Sequence, residues 1–397
     1  MRKNGINREL RPIEGGICAP AGYKANAVSC GIRTDGGLDF AMILSDKRCS
    51  VGCVYASGEA VGGPVKISKR NMKMGYARAI LVNSGIANCL GEESEELALA
   101  ICDLFFSYGL ERTEIVIAST GKIAYGLDIS FFEDAVKPLW KGLNATHENS
   151  LKAAQAIMTE DLCEKQLSYS FDLGDYPCKI GVIFKGGPQI SPNMATFLAF
   201  ITTDVNISTP MLQKALEAEV RETLNMLNLD GVQSPNDTVC IFANGRAGNY
   251  KITETDSEYS KFRFALRSVL TEVCLITARE GAKKLIKCRV VGANSKQVAR
   301  LLAKEIVGAS ITKEGISSGK INAESFVYFV WKYAGTLQAD KIQVSILSKN
   351  GRFVLFDEEN EIIPSNELMQ NILSTDEVEI VVDLNDGNYS ALAYGRI

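Results

Sequence analysis

A breaker-rich loop that runs without pause into an apolar segment constrains this chain more than any other feature. Lys185-Gly-Gly-Pro-Gln-Ile-Ser-Pro-Asn-Met-Ala-Thr196 is followed at once by Phe197-Leu-Ala-Phe-Ile-Thr-Thr203. Glycine and proline punctuate regular structure, so the first stretch reads as a loop. The second carries no charge and reads as a buried element. Thr196 sits at the junction, behind the small Ala195, where a hydroxyl can be held at the end of a rigid strand or helix. The chain has one histidine, His147. Hydroxyl and thiol nucleophiles usually depend on an imidazole base, so a base for nucleophilic chemistry is to be sought elsewhere. A threonine at a chain N-terminus carries one of its own, the α-amine, with an ordinary pKa of about 8.

The 397 residues suffice for two or three domains and a large core. A net charge of −4 with no basic tract speaks against a nucleic-acid partner. No apolar run reaches the roughly 18 residues of a membrane span, and the N-terminus has no apolar signal core. The 11 cysteines therefore read as reduced, buried thiols. Cys49 and Cys53, with Cys30 upstream, lack a second pair at zinc spacing, so core packing is favoured over metal binding. His147 lies in a polar stretch and reads as a solvated loop residue.

Short strands separated by glycine turns are expected over the first 90 residues, at Ala27–Ile32, Leu38–Leu44 and Ala77–Val82. A helix from Glu93, a strand at Glu114–Ala118, helical residues 150–161 and a strand at 178–185 follow. Pro210 suits the first turn of a helix capped by Ser208 or Thr209, with Leu212, Leu216, Val220, Leu224 and Leu227 as its buried stripe. A strand at Thr238–Ala243, a helix over 257–279, a strand at Ile286–Val291, a helix over 295–306 and a strand-rich tail complete the reading. Strands and helices mix without strict alternation, which gives a layered, mixed-sheet α/β class. The Gly292-Ala-Asn294 turn is the expected domain boundary.

Several residues invite chemistry, each with an ordinary alternative. Thr196 can be a nucleophile or a helix-opening cap. Ser119-Thr120-Gly121, at a strand end, can hold an oxyanion or form a plain Ser/Thr turn. Lys185 follows a hydrophobic strand, and Glu280 stands at a helix C-terminus, where its charge opposes the dipole unless a bound ammonium or a neighbour such as Lys283 or Lys284 compensates.

An ordered series of motifs goes further. Gly15-Gly-Ile-Cys-Ala-Pro-Ala-Gly-Tyr23, Val82-Asn-Ser-Gly-Ile-Ala-Asn88, Ala118-Ser-Thr-Gly121 and Ala156-Ile-Met-Thr-Glu-Asp161 come first. Ser191-Pro-Asn-Met-Ala-Thr196 with Phe200-Ile-Thr-Thr-Asp204, Asn236-Asp-Thr-Val239, Ala243-Asn-Gly245 and Glu280-Gly-Ala-Lys283 follow. The chain thereby resembles the glutamate N-acetyltransferase (ornithine acetyltransferase, ArgJ) family of arginine biosynthesis. The resemblance implies an α/β fold of stacked sheets flanked by helices, and self-cleavage between Ala195 and Thr196. It gives an N-terminal fragment 1–195 and a C-terminal fragment of two parts, 196–292 and 293–397. It implies that Thr196 is the nucleophile, that Thr120 and Gly121 form the oxyanion hole, and that Thr159, Lys185, Thr196 and Glu280 bind substrate. The implied reaction moves acetyl from N-acetylornithine to glutamate through an acetyl-threonine, with acetyl-CoA a further donor in some members. No metal or other cofactor is implied, and the implied assembly is a cytoplasmic heterotetramer of two copies of each fragment.

The chain departs from the family pattern at Lys122, in the loop Asp230-Gly-Val-Gln-Ser-Pro235, at Ser318-Gly-Lys-Ile321, and at its end, where Ala393-Tyr-Gly-Arg-Ile397 lacks the expected substrate-contacting tail. These differences bear on the substrate more than on the nucleophile. Two other readings therefore stay open: a diverged N-terminal-threonine acyltransferase or amidohydrolase for another N-acyl amino acid, and a non-catalytic paralogue.

Overall fold

A computed structural model describes residues 10–56, 60–91, 93–123, 125–186, 197–229, 234–334, 341–357 and 360–397. The expected cleavage site, Ala195 and Thr196, lies outside these residues, as does most of the divergent 230–235 loop. The chain forms two compact units. The first takes described residues of 10–187, 193–220 and 233–270, the second those of 221–232 and 271–397. The Gly292–Asn294 turn falls inside the second unit, so the compact division does not follow the boundary expected there.

The first unit is built on a nine-stranded sheet. Its strands are β1 (Arg11–Pro12), β2 (Tyr23–Val28), β3 (Phe40–Tyr55), β4 (Tyr76–Asn83), β5 (Ile115–Ser119), β6 (Lys165–Leu173), β7 (Tyr176–Gly186), β8 (Phe197–Thr203) and β9 (Thr238–Ala243). Their order is β1-β6-β7-β8-β9-β3-β4-β5, with β2 also on β3. The β4–β5 and β8–β9 pairs are parallel and the others antiparallel, so the sheet is mixed. Both faces are covered, and the period of two sorts side chains between two cores. Along β4, Ile80 and Val82 join Ala153, Ile157, Leu198 and Phe200 on one side. Ala79 and Leu81 join Ile67, Ala98, Ile101 and Phe132 on the other. All seven residues of the 197–203 segment are buried, which is why it can be uncharged throughout.

The second unit holds a six-stranded mixed sheet, with β10 (Leu285–Ala293), β11 (Gln343–Ser348), β12 (Gly351–Asp357), β13 (Asn360–Glu361), β14 (Glu377–Asp383) and β15 (Tyr389–Arg396) in the order β13-β12-β11-β14-β10-β15. The layered, mixed-sheet α/β class read from the sequence is the one observed. Several details differ. A helix at Gly63–Asn71 interrupts the expected run of strands, and the tail carries helices at Ser310–Ser318, Ala323–Ala334 and Asn366–Leu373. His147 is exposed but opens the His147–Ala156 helix, its Nδ1 accepting the Gly15 amide at 3.2 Å. All 11 cysteines are free thiols, and Cys163 alone is exposed rather than buried or half-buried. Among the described residues no helix is long and apolar enough to cross a membrane.

Candidate active site

The oxyanion-type turn grows out of β5, whose five residues are all buried. The Thr120 amide extends the ladder to the Asn83 carbonyl at 3.0 Å, and the Lys122 amide reaches the Gly85 carbonyl at 3.0 Å. Between them Gly121 has φ of +131°, and a Cβ there would lie 2.3 Å from the Gly85 carbonyl carbon. Only glycine fits such an approach. Among the described residues the Gly121 amide has no acceptor. The turn therefore offers the Gly121 N–H and the Thr120 hydroxyl, while the Thr120 amide is already spent. We expect Gly121→Ala to cost about 1–3 kcal/mol in backbone strain, with the clash against Gly85 added to it. A urea-unfolding midpoint unchanged from wild type would contradict this.

Lys185, at the end of β7, has 1 % exposure. Its ammonium donates to Thr120 Oγ1 at 3.1 Å and to Thr159 Oγ1 at 2.5 Å. A hydroxyl that accepts from an ammonium keeps its own proton for another acceptor, so Lys185 turns both threonines into oriented donors. Three residues singled out from the sequence, Thr120, Thr159 and Lys185, are thus brought together from separate stretches of chain. Glu280 belongs to the second unit, one residue beyond the Ser257–Arg279 helix, where its carbonyl accepts from Arg396 at 2.6 Å. The side chain of Lys284 donates to the Leu373 carbonyl.

Sequence reasoning gave no role to two buried carboxyl groups beside this cluster. Asp161 Oδ1 accepts from Lys165 Nζ at 2.5 Å and from the Gly186 amide at 3.0 Å. Its Oδ2 accepts the Thr159 amide at 3.1 Å and lies 4.0 Å from Lys185 Nζ. Burial alone pushes the Asp161 carboxyl up, but the charges of Lys185 and Lys165 and these hydrogen bonds outweigh it and hold it below the usual carboxylate value. Burial lowers the Lys185 ammonium, with the Asp161 charge opposing. Asp237, just before β9, accepts the Phe197 amide at 2.5 Å, and burial drives its carboxyl well above the ordinary range. The Thr-Glu-Asp161 and Asn-Asp237-Thr motifs contain both residues, and that was the available signal.

The whole-chain comparisons agree with the motif series. A model of the ArgJ family matches residues 24–396. The chain is 34 % identical over 388 residues to the arginine biosynthesis bifunctional protein ArgJ of Staphylococcus epidermidis, covering 96 % of this chain and 95 % of that one. It is 33 % identical over 392 residues to the same-named protein of Streptococcus thermophilus, covering 97 % and 96 %. A crystal structure of the ArgJ protein from Bacillus halodurans is 33 % identical, with TM-score 0.45 over 50 % of this chain and 92 % of that one. The chain belongs to the ArgJ family.

Proposed function

We propose that this protein is a self-cleaving acetyltransferase of arginine biosynthesis, moving acetyl from N-acetylornithine to glutamate through an ester on Thr196. The observation that carries the reading is the pair of oriented threonine hydroxyls on Lys185 beside the Gly121 amide, which has no acceptor among the described residues. Together they make a partly buried, preorganised donor cluster suited to a developing oxyanion. In maturation the Thr196 hydroxyl attacks the Ala195 carbonyl, the peptide C–N bond breaks, and the nitrogen leaves as the Thr196 α-amine. Water then cleaves the Ala195–Thr196 ester, returning the hydroxyl. In turnover the amine takes the hydroxyl proton as Thr196 Oγ attacks the acetyl carbonyl. That proton passes to the departing ornithine nitrogen. The amine of glutamate attacks the ester and releases the Thr196 hydroxyl. In turnover the Thr196 α-amine serves as the base, with no coenzyme called upon. Lys185 suits a substrate carboxylate and Glu280 a substrate ammonium. Assembly as two copies of each fragment belongs to the same proposal.

Intact-mass measurement tests this directly. The expected result is fragments 1–195 and 196–397, with the second gaining one acetyl group on brief exposure to N-acetylornithine. Cleavage without an adduct or ornithine release would favour a diverged acyltransferase or amidohydrolase. A chain that stays whole would overturn the proposal.

A further inference from the structure

Asp237 has a carboxyl group that neither strand pairing nor substrate binding accounts for. It is 1 % exposed, and its Oδ1 accepts the amide of Phe197, the residue bonded to Thr196, at 2.5 Å. Its Oδ2 is buried with no hydrogen-bond partner among the described residues. The register explains the placement. β8 and β9 run parallel from the Leu198–Thr238 pair onward, so Phe197 and Asp237 each stand one residue before the ladder begins. The Asp237 side chain supplies the acceptor that main-chain pairing there does not.

We propose that Asp237 is a positioning residue for Thr196: it pins the Thr196–Phe197 peptide plane through the Phe197 amide and so sets the approach of the Thr196 hydroxyl to the carbonyl it attacks. This rests on the reading of Thr196 as the nucleophile. Once that plane is fixed, the nucleophile hangs from it by the backbone rotation at Thr196 and its own side-chain rotation. Asp237 acts as the neutral acid. An ionised oxygen at Oδ2, buried with no donor among the described residues, costs several kcal/mol, and the hydrogen bonds of the nearby Lys185 ammonium go to Thr120 and Thr159 rather than to Asp237. Ground-state errors of about 1 Å at a reacting group cost about 100-fold in rate, so the pin has a large lever.

The test compares Asp237→Asn, which keeps an acceptor and cannot ionise, with Asp237→Leu, which has no acceptor. Self-cleavage is followed by intact mass, acetyl transfer by ornithine release, and folding by urea titration. We expect the Asn variant to cleave and turn over within about fivefold of wild type, and the Leu variant to be slower in both by about 100-fold at temperatures where it is folded. A folded Leu variant that cleaves at the wild-type rate overturns the positioning role. An Asn variant as slow as Leu, or unable to fold, overturns the neutral acid. If Leu does not fold, the Asn result decides alone: near-wild-type rates with an unchanged pH profile between about 6 and 8 support the role, and a 100-fold loss overturns it. Thr196→Ala is the control. Cleavage in that variant sinks the reading of Thr196, whereas an intact Thr196→Ala chain beside a fast Leu variant sinks the present inference only.

Discussion

Replacing Thr196 by alanine is expected to leave the chain whole on a denaturing gel and to lower acetyl transfer by more than about 1000-fold. The two losses come together because, in the proposed mechanism, one oxygen serves both reactions. The rest of the site cannot substitute for it. His147, the usual kind of base, is tied to Gly15 and Gln166 at an exposed helix start. Every cysteine with a resolved shift is pushed up, with burial the leading cause, away from the thiolate form. Thr196→Ser keeps the hydroxyl and should retain cleavage within roughly tenfold. Full-length mass in the Ala variant, fragments in the Ser variant and unchanged urea midpoints in both make up the expected set. An Ala variant that cleaves or turns over at a wild-type rate would remove Thr196 from the mechanism.

Asp161→Ala is expected to destabilise the protein by about 3–5 kcal/mol, because it removes one member of a buried set of opposite charges. The Lys165 and Lys185 side chains are 2 % exposed and both approach this carboxylate, which is itself fully buried. Removing it also strips acceptors from the Thr159 and Gly186 amides. The pH dependence has a definite sign. A carboxyl held below its ordinary value stabilises the fold above about pH 4, and that contribution is lost as pH falls through the folded value. Wild type should therefore lose stability on acidification in a way the Ala variant lacks. Urea titrations at neutral pH and below pH 4 measure both effects, and equal midpoints at neutral pH would show that the two lysines find another partner.

Much of the fold was legible in the sequence where local signals were consistent. The strand Thr238–Ala243 and the helix Ser257–Arg279 stand where polar turns and apolar spacing placed them. The Gly63–Asn71 helix escaped because Gly62-Gly63-Pro64 looks like a turn, although proline is tolerated in a first helical turn. The Ala323–Ala334 helix is rich in aromatic and β-branched residues, which favour strands. Its buried residues Ala323, Phe326, Phe329 and Val330 nonetheless keep helical spacing. In the site, Lys185 was visible as a charge at the end of a hydrophobic strand. Asp161 and Asp237 were not, because an acidic residue in a polar stretch ordinarily faces water. Only the tertiary placement of β7, β8 and β9 removes them from it.

The strand order of the large sheet also bears on how such a protein can be made. β8 and β9, from the later part of the chain, lie between β7 and β3, from the earlier part. A cut before Thr196 would leave the pieces interleaved, with seven paired positions joining β7 to β8 and six joining β3 to β9. Neither piece could be synthesised alone without presenting open strand edges that invite aggregation. If the proposed cleavage occurs, this interleaving orders it in time: the chain would fold as one molecule, be severed afterwards, and release its pieces only when the sheet itself is unfolded.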